Sequence, residues 1–192
     1  MEDIVLEGAH LRLEPMRLEH LDALYEAGHY EELWRWTTAV MNTPDDMRRY
    51  VDQALRERVE GKSHPFVQID RASGRVIGST RYGNIEPAHK KLEIGWTWIT
   101  PAWQRTAMNT ESKFLLLRHA FEERGCQRVE LKTDALNAKS RNAMLRVGCK
   151  EEGTLRSHML TESGRVRDTV YFSIIAAEWP GVKAGLEEKL AR

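Results

Sequence analysis

The sequence has few cysteines, no excess of either charge and no long apolar run. Its two cysteines, Cys126 and Cys149, each follow a glycine, which predicts two small buried residues in a reducing compartment, with a reactive thiol or a disulfide as the alternative. Lys plus Arg equals Asp plus Glu at 29 each, so no net field attracts nucleic acid or an acidic membrane. No apolar run approaches the ~18 residues of a membrane helix, and we see no signal peptide. We therefore expect a cytoplasmic protein without nucleic-acid or membrane partners.

Length and composition predict one domain. A chain of 192 residues is long enough to bury a core of its own. No internal repeat, low-complexity tract or shift in composition marks a boundary. We expect a single domain over 1–192, with its core at about 11–179. The remaining residues, 180–192, are predicted to be a surface tail, a helix rich in Glu and Lys that Pro180 and Gly181 break.

Alternating and helical spacings of apolar residues predict a mixed α/β fold. The predicted strands lie at about 11–16, 65–70, 75–83, 91–100, 127–133, 149–160 and 166–177, and the predicted helices at about 18–27, 44–60, 110–124 and 137–147. The pattern is clearest in the strand at 91–100. Its predicted faces carry Leu92, Ile94, Trp96 and Trp98 on one side and Glu93, Gly95 and Thr97 on the other.

The stretch from Trp98 to Lys113 has the form of a phosphate-binding turn. An apolar strand stops at Pro101, a loop of small and polar residues follows, and a helix is predicted to begin near Thr110. The first N–H groups of a helix have no partner inside it, and the positive end of the helix dipole attracts an anion. The sequence therefore predicts a diphosphate site built from main-chain donors.

Four motifs occur in an order that resembles one known family. They are Glu93-Ile-Gly95, the run from Gln104 to Asn109 that continues as Thr110-Glu-Ser, Asn137-Ala-Lys-Ser-Arg141 with a closing Val147-Gly-Cys149, and Arg167-Asp-Thr-Val-Tyr171. Together they resemble the GNAT superfamily of acyl-CoA-dependent N-acetyltransferases, and most closely its RimJ/RimL-like branch. The resemblance covers nearly the whole chain, from Leu11 to about Trp179.

The resemblance implies a mostly antiparallel sheet, flanked by helices, whose central strand splays from its neighbour near Trp98 to Thr100. The pantetheine arm of acetyl-CoA is expected in that gap, and its diphosphate on the N–H groups of about 105–110. The residues expected to bind the cosubstrate are therefore Trp98, Ile99, Thr100, Gln104, Arg105, Thr106, Ala107, Met108, Asn109, Thr110, Asn137 and Ser140.

The chain departs from the family motif in the phosphate-binding turn. Ala107 replaces the usual glycine, and Asn109 replaces the last small residue. Glycine lets the backbone crowd a phosphate and adopt positive φ. Because alanine is the smallest substitute, we expect the turn to survive with weaker binding. Basic side chains that could add charge there, or simply form solvated helix faces, are Arg105, Lys139, Arg141 and Arg146.

The resemblance also implies that an amine attacks the thioester carbonyl directly. Glu93 is the candidate base, acting through a water, or else a carboxylate held in an ion pair. The N–H near Ile99 is expected to bond the carbonyl oxygen. Met144 stands where many members have a tyrosine acid, so Ser140 is the candidate acid, unless it only caps the helix or bonds the cosubstrate. Asn137 is likewise either a helix cap or a pantetheine contact.

The candidate acceptor wall consists of Trp34, Trp36 and Tyr82, next to Glu93. Two tryptophans two residues apart on a short helix cannot share one face, so we expect one in the core and one in the pocket. The acceptor is expected to be a protein N-terminal amine or a small amine, and the protein a monomer or homodimer. The seven histidines show no metal-binding spacing. Because the glycines and the tyrosine are absent, the alternative function is a non-catalytic acyl-CoA-binding or sensing domain.

Overall fold

The computed structural model describes residues 3–191, which form an eight-stranded sheet with helices on both faces. The predicted domain and tail also include residues 1, 2 and 192, which lie outside the described part. The strands are β1 (Leu6–Glu7), β2 (Leu11–Pro15), β3 (His64–Asp70), β4 (Val76–Glu86), β5 (Lys91–Ile99), β6 (Arg128–Asp134), β7 (Lys150–Leu160) and β8 (Val166–Ile175). The helices are α1 (Leu21–Gly28), α2 (Glu31–Trp34), α3 (Pro44–Val59), α4 (Ala107–Arg118), α5 (Ala138–Val147) and α6 (Trp179–Leu190).

The strands lie in the order β1-β2-β3-β4-β5-β6-β8-β7. Every neighbouring pair is antiparallel except β5 and β6, which are parallel. This arrangement confirms the predicted mixed α/β sheet. The one parallel pair, β5 and β6, lies in the interior of the sheet. Parallel strands need a crossover connection, and here it consists of the turn and α4.

Two apolar cores lie on opposite faces of the sheet. Phe66 belongs to one core and its neighbour Val67 to the other, because successive side chains of a strand point to opposite faces. The first core contains Leu116 of α4 and Leu186 of α6 and is called the α4 side below. The second contains Met47 of α3 and is called the α3 side.

β5 has a bulge that the sequence pattern did not predict. Its register with β4 shifts at Trp96, where φ is +49°. Leu92 and Ile94 lie on the α4 side, whereas Trp98 lies in the core of the α3 side. The prediction that Leu92, Ile94 and Trp98 share one face of the strand is therefore wrong, because the extra residue in a bulge shifts the alternation of the side chains.

α4 begins at Ala107, three residues before its predicted start. The N-terminal cap is Thr106, whose Oγ1 accepts a long hydrogen bond of 3.4 Å from the N–H of Met108. Thr110, the predicted start, is buried inside the helix. Both threonines are suitable caps, so the pattern alone did not distinguish them.

α6 is one unbroken helix that packs against α4. Pro180 lies in its first turn, where a missing N–H costs no hydrogen bond. Leu186 is fully buried in the core of the α4 side. The prediction that Pro180 and Gly181 break this helix is therefore wrong, while most of the helix is exposed or partly buried, with Leu186 in the core.

Glu111 of α4 fixes the N-terminal strands. Its carboxylate accepts hydrogen bonds from the N–H groups of Ala9, His10 and Leu11 at 2.7, 2.8 and 2.6 Å. Charge-assisted bonds of this kind are stronger than neutral ones. The turn between β1 and β2 is thereby attached to the helix that follows the phosphate-binding turn.

Both cysteines are buried free thiols, as predicted. Burial raises the pKa of Cys149 to about 12, so this thiol stays neutral and unreactive near neutral pH. Across residues 3–191, no helix combines the length and apolarity needed to cross a membrane. Nor does that part of the chain bring together three His, Cys, Asp or Glu side chains that could hold a metal ion.

Candidate active site

A gap in the centre of the sheet separates β5 from β6. The two strands pair only along their first residues, up to Glu93 and Glu130. β5 nevertheless continues to Ile99 and β6 to Asp134. The gap therefore begins at Glu93, well before the stretch from Trp98 to Thr100 that the family resemblance implied.

Ile99 presents its main chain to this gap. The N–H of Thr100 donates to the carbonyl of Ile77 on β4 at 2.8 Å, so the main chain of the preceding residue faces away from β4. The carbonyl of Ile99 accepts a hydrogen bond of 2.8 Å from Nε2 of Gln104. In a strand the N–H and C=O of one residue point to the same side, so the Ile99 N–H also faces the gap.

Trp98 and Thr100, the neighbours of Ile99, make their hydrogen bonds and packing contacts away from the gap. The carbonyl of Trp98 accepts a hydrogen bond from Gln68 on β3, and its indole lies in the core of the α3 side. The hydroxyl of Thr100 donates to the carbonyls of Ala27 and Ile77. Of the three predicted cosubstrate contacts on β5, only Ile99 faces the gap.

The phosphate-binding turn places its left-handed residue at Arg105, where φ is +62°. Ala107 is the first residue of α4 and needs no positive φ, which is why the turn tolerates the missing glycine. In the described chain, the N–H groups of Arg105 and Thr106 make no hydrogen bond to another main-chain group. With the N–H groups of Ala107 and Asn109 at the start of α4, they form a set of free donors. Met108 contributes nothing to this set, because its side chain is buried and its N–H donates to Thr106, whereas Asn109 is partly buried.

Gln104 connects the turn to both sides of the gap. Its Nε2 bonds Ile99 at the end of β5, and its Oε1 accepts a hydrogen bond from Nζ of Lys139 on α5. Lys139 is thus brought to the turn, as the hypothesis of added charge requires. Arg141 instead pairs with Glu151 on β7 at 3.2 Å.

Asn137 and Ser140 lie where α5 begins. Oδ1 of Asn137 accepts a hydrogen bond of 3.0 Å from the N–H of Ser140, which is a helix cap. The Nδ2 group of Asn137 and the partly exposed hydroxyl of Ser140 have no hydrogen-bond partner among residues 3–191. Met144 packs against the core of the α4 side, so it supplies no acid.

Glu93 lies at the start of the gap and is only 2% exposed. Because Leu92 and Ile94 point to the α4 side, the carboxylate points to the α3 side. Its Oε2 lies 2.9 Å from Nζ of Lys132 and accepts a hydrogen bond of 2.7 Å from Nδ2 of Asn84. Glu93 therefore lies at the gap, as a base would, and is also held in an ion pair. The geometry is compatible with both roles considered for it.

Two of the three aromatic residues proposed for the acceptor wall are core residues. The indole N–H of Trp34 donates to Gly28, and its ring packs 5.5 Å from that of Trp98. Tyr82 is fully buried on the α4 side, where its hydroxyl donates to the carbonyl of Leu116. Tyr82 cannot contact an acceptor, because it is fully buried, whereas Trp34 keeps a small exposed part that lines the cavity described below. Trp36 is partly exposed, as expected for the second tryptophan.

Trp96 forms an aromatic wall that the sequence pattern missed. Its ring is 37% exposed and lies between the guanidinium of Arg81, at 5.2 Å, and Nζ of Lys132, at 5.9 Å. Arg81 also stacks on Tyr50 of α3 at 4.5 Å. The wall adjoins Glu93 through Lys132. The only available signal was Gly95, a glycine within a strand, which often marks a bulge.

A cavity of about 200 Å³ lies on the α3 side and is lined by Trp34. It lies between the segment after α2 and the hairpin that joins β7 to β8. The hairpin is held there because Glu162 donates its N–H to Thr38 and accepts the N–H of Val40. Its lining includes Glu31, Arg35, Asn42 and Arg165. Arg165 also stacks on Trp36 and pairs with Asp134 at the end of β6.

Comparisons with known proteins identify the family. Residues 10–150 match the model of the Acetyltransferase (GNAT) domain. A Bacillus subtilis protein with the name "Putative ribosomal N-acetyltransferase YdaF" is 33% identical over 110 residues, which span 57% of this chain and 59% of that relative. A GCN5-related N-acetyltransferase from Brucella melitensis has a TM-score of 0.91 at 32% identity, covering 99% of this chain and 86% of that one.

A further solved structure is similar in fold. Mycobacterium smegmatis RimJ, in complex with CoA-disulfide, has a TM-score of 0.80 at 22% identity, covering 97% of this chain and 93% of that one. At this identity the likeness concerns the fold alone.

Proposed function

Because the chain belongs to the GNAT acetyltransferase family, we propose that it transfers the acetyl group of acetyl-CoA to a primary amine. The observation that carries the proposal is the gap between β5 and β6, which is bounded by the main chain of Ile99 and by the free donors of the turn before α4. An acyl-pantetheine arm needs a slot lined by main-chain groups, and a diphosphate needs clustered N–H donors.

The residues of the turn fit a diphosphate. The free N–H groups of Arg105 and Thr106 are joined by those at the start of α4. The guanidinium of Arg105 and the ammonium of Lys139 add positive charge nearby. Acetyl-CoA supplies an activated acyl group when bound, and the chain holds and orients it.

The chain's own contribution to the reaction is chiefly positioning. The Ile99 N–H donates to the oxygen on which negative charge develops. Glu93 accepts the proton of the attacking amine through a water. Holding two reactants in one geometry lowers the barrier by several kcal/mol. The ion pair with Lys132 fixes the orientation of Glu93 for this task.

We take the acceptor to be the α-amine of a peptide. The name of the relative YdaF, a putative ribosomal N-acetyltransferase, supports a protein acceptor. The acceptor side of the gap carries the exposed faces of Trp36 and Trp96, with Arg35, Arg165 and Lys132 beside them. Such a wall suits an extended peptide. It disfavours a polycation such as a polyamine or an aminoglycoside, because like charges repel.

The test uses two matched peptides and acetyl-CoA. One peptide has a free α-amine and no lysine, and the other has a blocked N-terminus and one internal lysine. Release of free thiol and an acetyl mass increment on the first peptide only is the expected result. Binding of CoA without transfer to any amine in a wider panel would instead favour the non-catalytic acyl-CoA-binding domain.

A further inference from the structure

Lys113 is a buried cation to which none of the roles above assigns a task. It lies in the middle of α4 and is 6% exposed. Its Nζ donates to Oγ1 of Thr97 at 2.8 Å, and that oxygen also lies 2.7 Å from Oγ1 of Thr80. No carboxylate within residues 3–191 forms an ion pair with Lys113. A group with three donors therefore meets one hydroxyl acceptor.

This burial is unfavourable for stability. Burial lowers the pKa of Lys113 to about 8. The titratable group that faces it is Cys149 at the start of β7, a thiol whose raised pKa of about 12 keeps it neutral, so it does not compensate the charge. A well-packed apolar side chain at this position would be more stable. An uncompensated buried cation beside a cleft is therefore a candidate for a functional role.

The side chain of Lys113 contacts the part of β5 that borders the gap. Thr97 belongs to the part of β5 beyond Glu93 that has no partner on β6. Lys113 approaches it from the α4 side. α5, which carries Ser140, lies on the same side, because Met144 packs into that core. The candidate base Glu93 points to the opposite side, so proton donor and proton acceptor groups are separated by the sheet.

We propose that Lys113 is the general acid that protonates the departing sulfur, an inference that rests on the proposed function. As the C–N bond to the acceptor forms and the C–S bond breaks, Nζ of Lys113 gives its proton to the sulfur. The neutral amine that remains takes a proton from solvent, while the acceptor's own proton leaves through Glu93. This role replaces the tyrosine of other family members, whose position Met144 occupies.

The test reads the thiol of bound CoA and needs no acceptor. The ultraviolet absorbance of the thiolate is followed against pH in complexes of CoA with wild type and with Lys113→Met. A cation next to the sulfur stabilises the thiolate, so the thiol in the variant complex should be about tenfold less ionised at a given pH. The control is Lys62→Met, the same change at a lysine whose side chain is 72% exposed, and it should titrate like wild type.

Lys113→Arg separates charge from proton donation. Arginine keeps the cation but does not release its proton near neutral pH, so the thiol titration should stay like that of wild type while single-turnover transfer falls about 10²-fold. Circular dichroism checks that each variant folds. The proposal is overturned if Lys113→Met leaves the thiol titration unchanged. It is equally overturned if, of the two variants Lys113→Met and Ser140→Ala, only Ser140→Ala alters the titration. If the CoA thiol titrates differently in wild type and in Lys113→Met as expected, but wild type transfers no acetyl group to any amine, the result would count against the proposed function instead.

Discussion

Oε2 of Glu93 and Nζ of Lys132 lie 2.9 Å apart at the point where β5 and β6 separate. Asn84 donates to the same oxygen. The other oxygen, Oε1, accepts no hydrogen bond from residues 3–191, and it lies so near Gly95 that an added Cβ would come within 2.8 Å. One oxygen is thus fixed by two donors and the other is left for a water. The ion pair therefore orients the carboxylate and still leaves one of its oxygens available.

Glu93→Gln tests the base. The amide cannot take a proton, so turnover near neutral pH should fall about 10²-fold, while the dissociation constant of CoA stays within about twofold. The control is Glu130→Gln, the same change at a partly buried carboxylate of β6 that pairs with Arg128. Equal rates for wild type and Glu93→Gln across the pH profile would reject the role of base.

Arg105→Gly and Arg105→Ala test the left-handed turn. Both remove the charge, but only glycine adopts positive φ without strain, so the glycine variant should be more stable by about 1 kcal/mol in urea unfolding. If the guanidinium contacts the diphosphate, both variants should bind CoA more weakly than wild type, and to a similar extent. Equal stability of the two variants would show that Arg105 carries no backbone strain.

Asn137→Asp and Asn137→Ala separate the two roles of Asn137. Aspartate caps a helix as well as asparagine does but lacks the Nδ2 donor, whereas alanine lacks both. The alanine variant should lose about 1 kcal/mol of stability, and the aspartate variant almost none. If Nδ2 contacts pantetheine, both should bind CoA more weakly. Normal CoA affinity in Asn137→Asp would leave the residue as a cap only.

Glu111→Gln tests the attachment of the N-terminal strands. The neutral amide has one acceptor oxygen where three N–H groups of Ala9, His10 and Leu11 converge, so buried donors lose their partner. The free energy of unfolding should fall by about 2–3 kcal/mol in urea titrations. CoA affinity should be preserved at temperatures where the variant is folded. A loss below about 0.5 kcal/mol would mean that water satisfies these N–H groups in the variant.

The sequence pattern predicted most elements of the fold because their caps and periods are local. Asn137 and Gly148 bound α5 as predicted, since each acts through its own turn of the helix. The pattern failed at Trp96, because a bulge depends on how β5 pairs with β4 and not on the residues of β5 alone. It failed at Pro180 for a different reason, since proline in a first helical turn is tolerated.

The phosphate-binding turn was predictable from a strand, a loop and a helix in sequence, because its chemistry lies in the main chain. The open N–H of Ile99 and the role of Glu93 were expected only from the family resemblance. The ion pair of Glu93 with Lys132 joins two strands, and no spacing within either strand indicates it. Lys113 was missed because a lysine within a helix normally faces solvent, and only the packing of α4 under the gap buries it.

The pH dependence of stability tests the burial of Lys113 without any ligand. In the unfolded chain this lysine stays protonated up to its ordinary pKa of 10.5, whereas in the folded chain the pKa falls to about 8. Between these values the unfolded state binds more protons, so the free energy of unfolding rises with pH. Below about pH 8 both states are protonated, and the full cost of burying the ammonium remains.

Urea unfolding of wild type and Lys113→Met at about pH 7 and about pH 9.5 isolates this contribution, because other titrating groups are common to both proteins. The stability of wild type relative to the variant should rise by about 2 kcal/mol between the two conditions. Cys149 titrates in the unfolded chain within this range, but burial keeps its thiol neutral in the folded proteins, so its contribution cancels in the difference. A constant difference would mean that Lys113 keeps its ordinary pKa when folded. The ammonium would then be paired or hydrated, and it would have no reason to give up a proton to a departing thiolate.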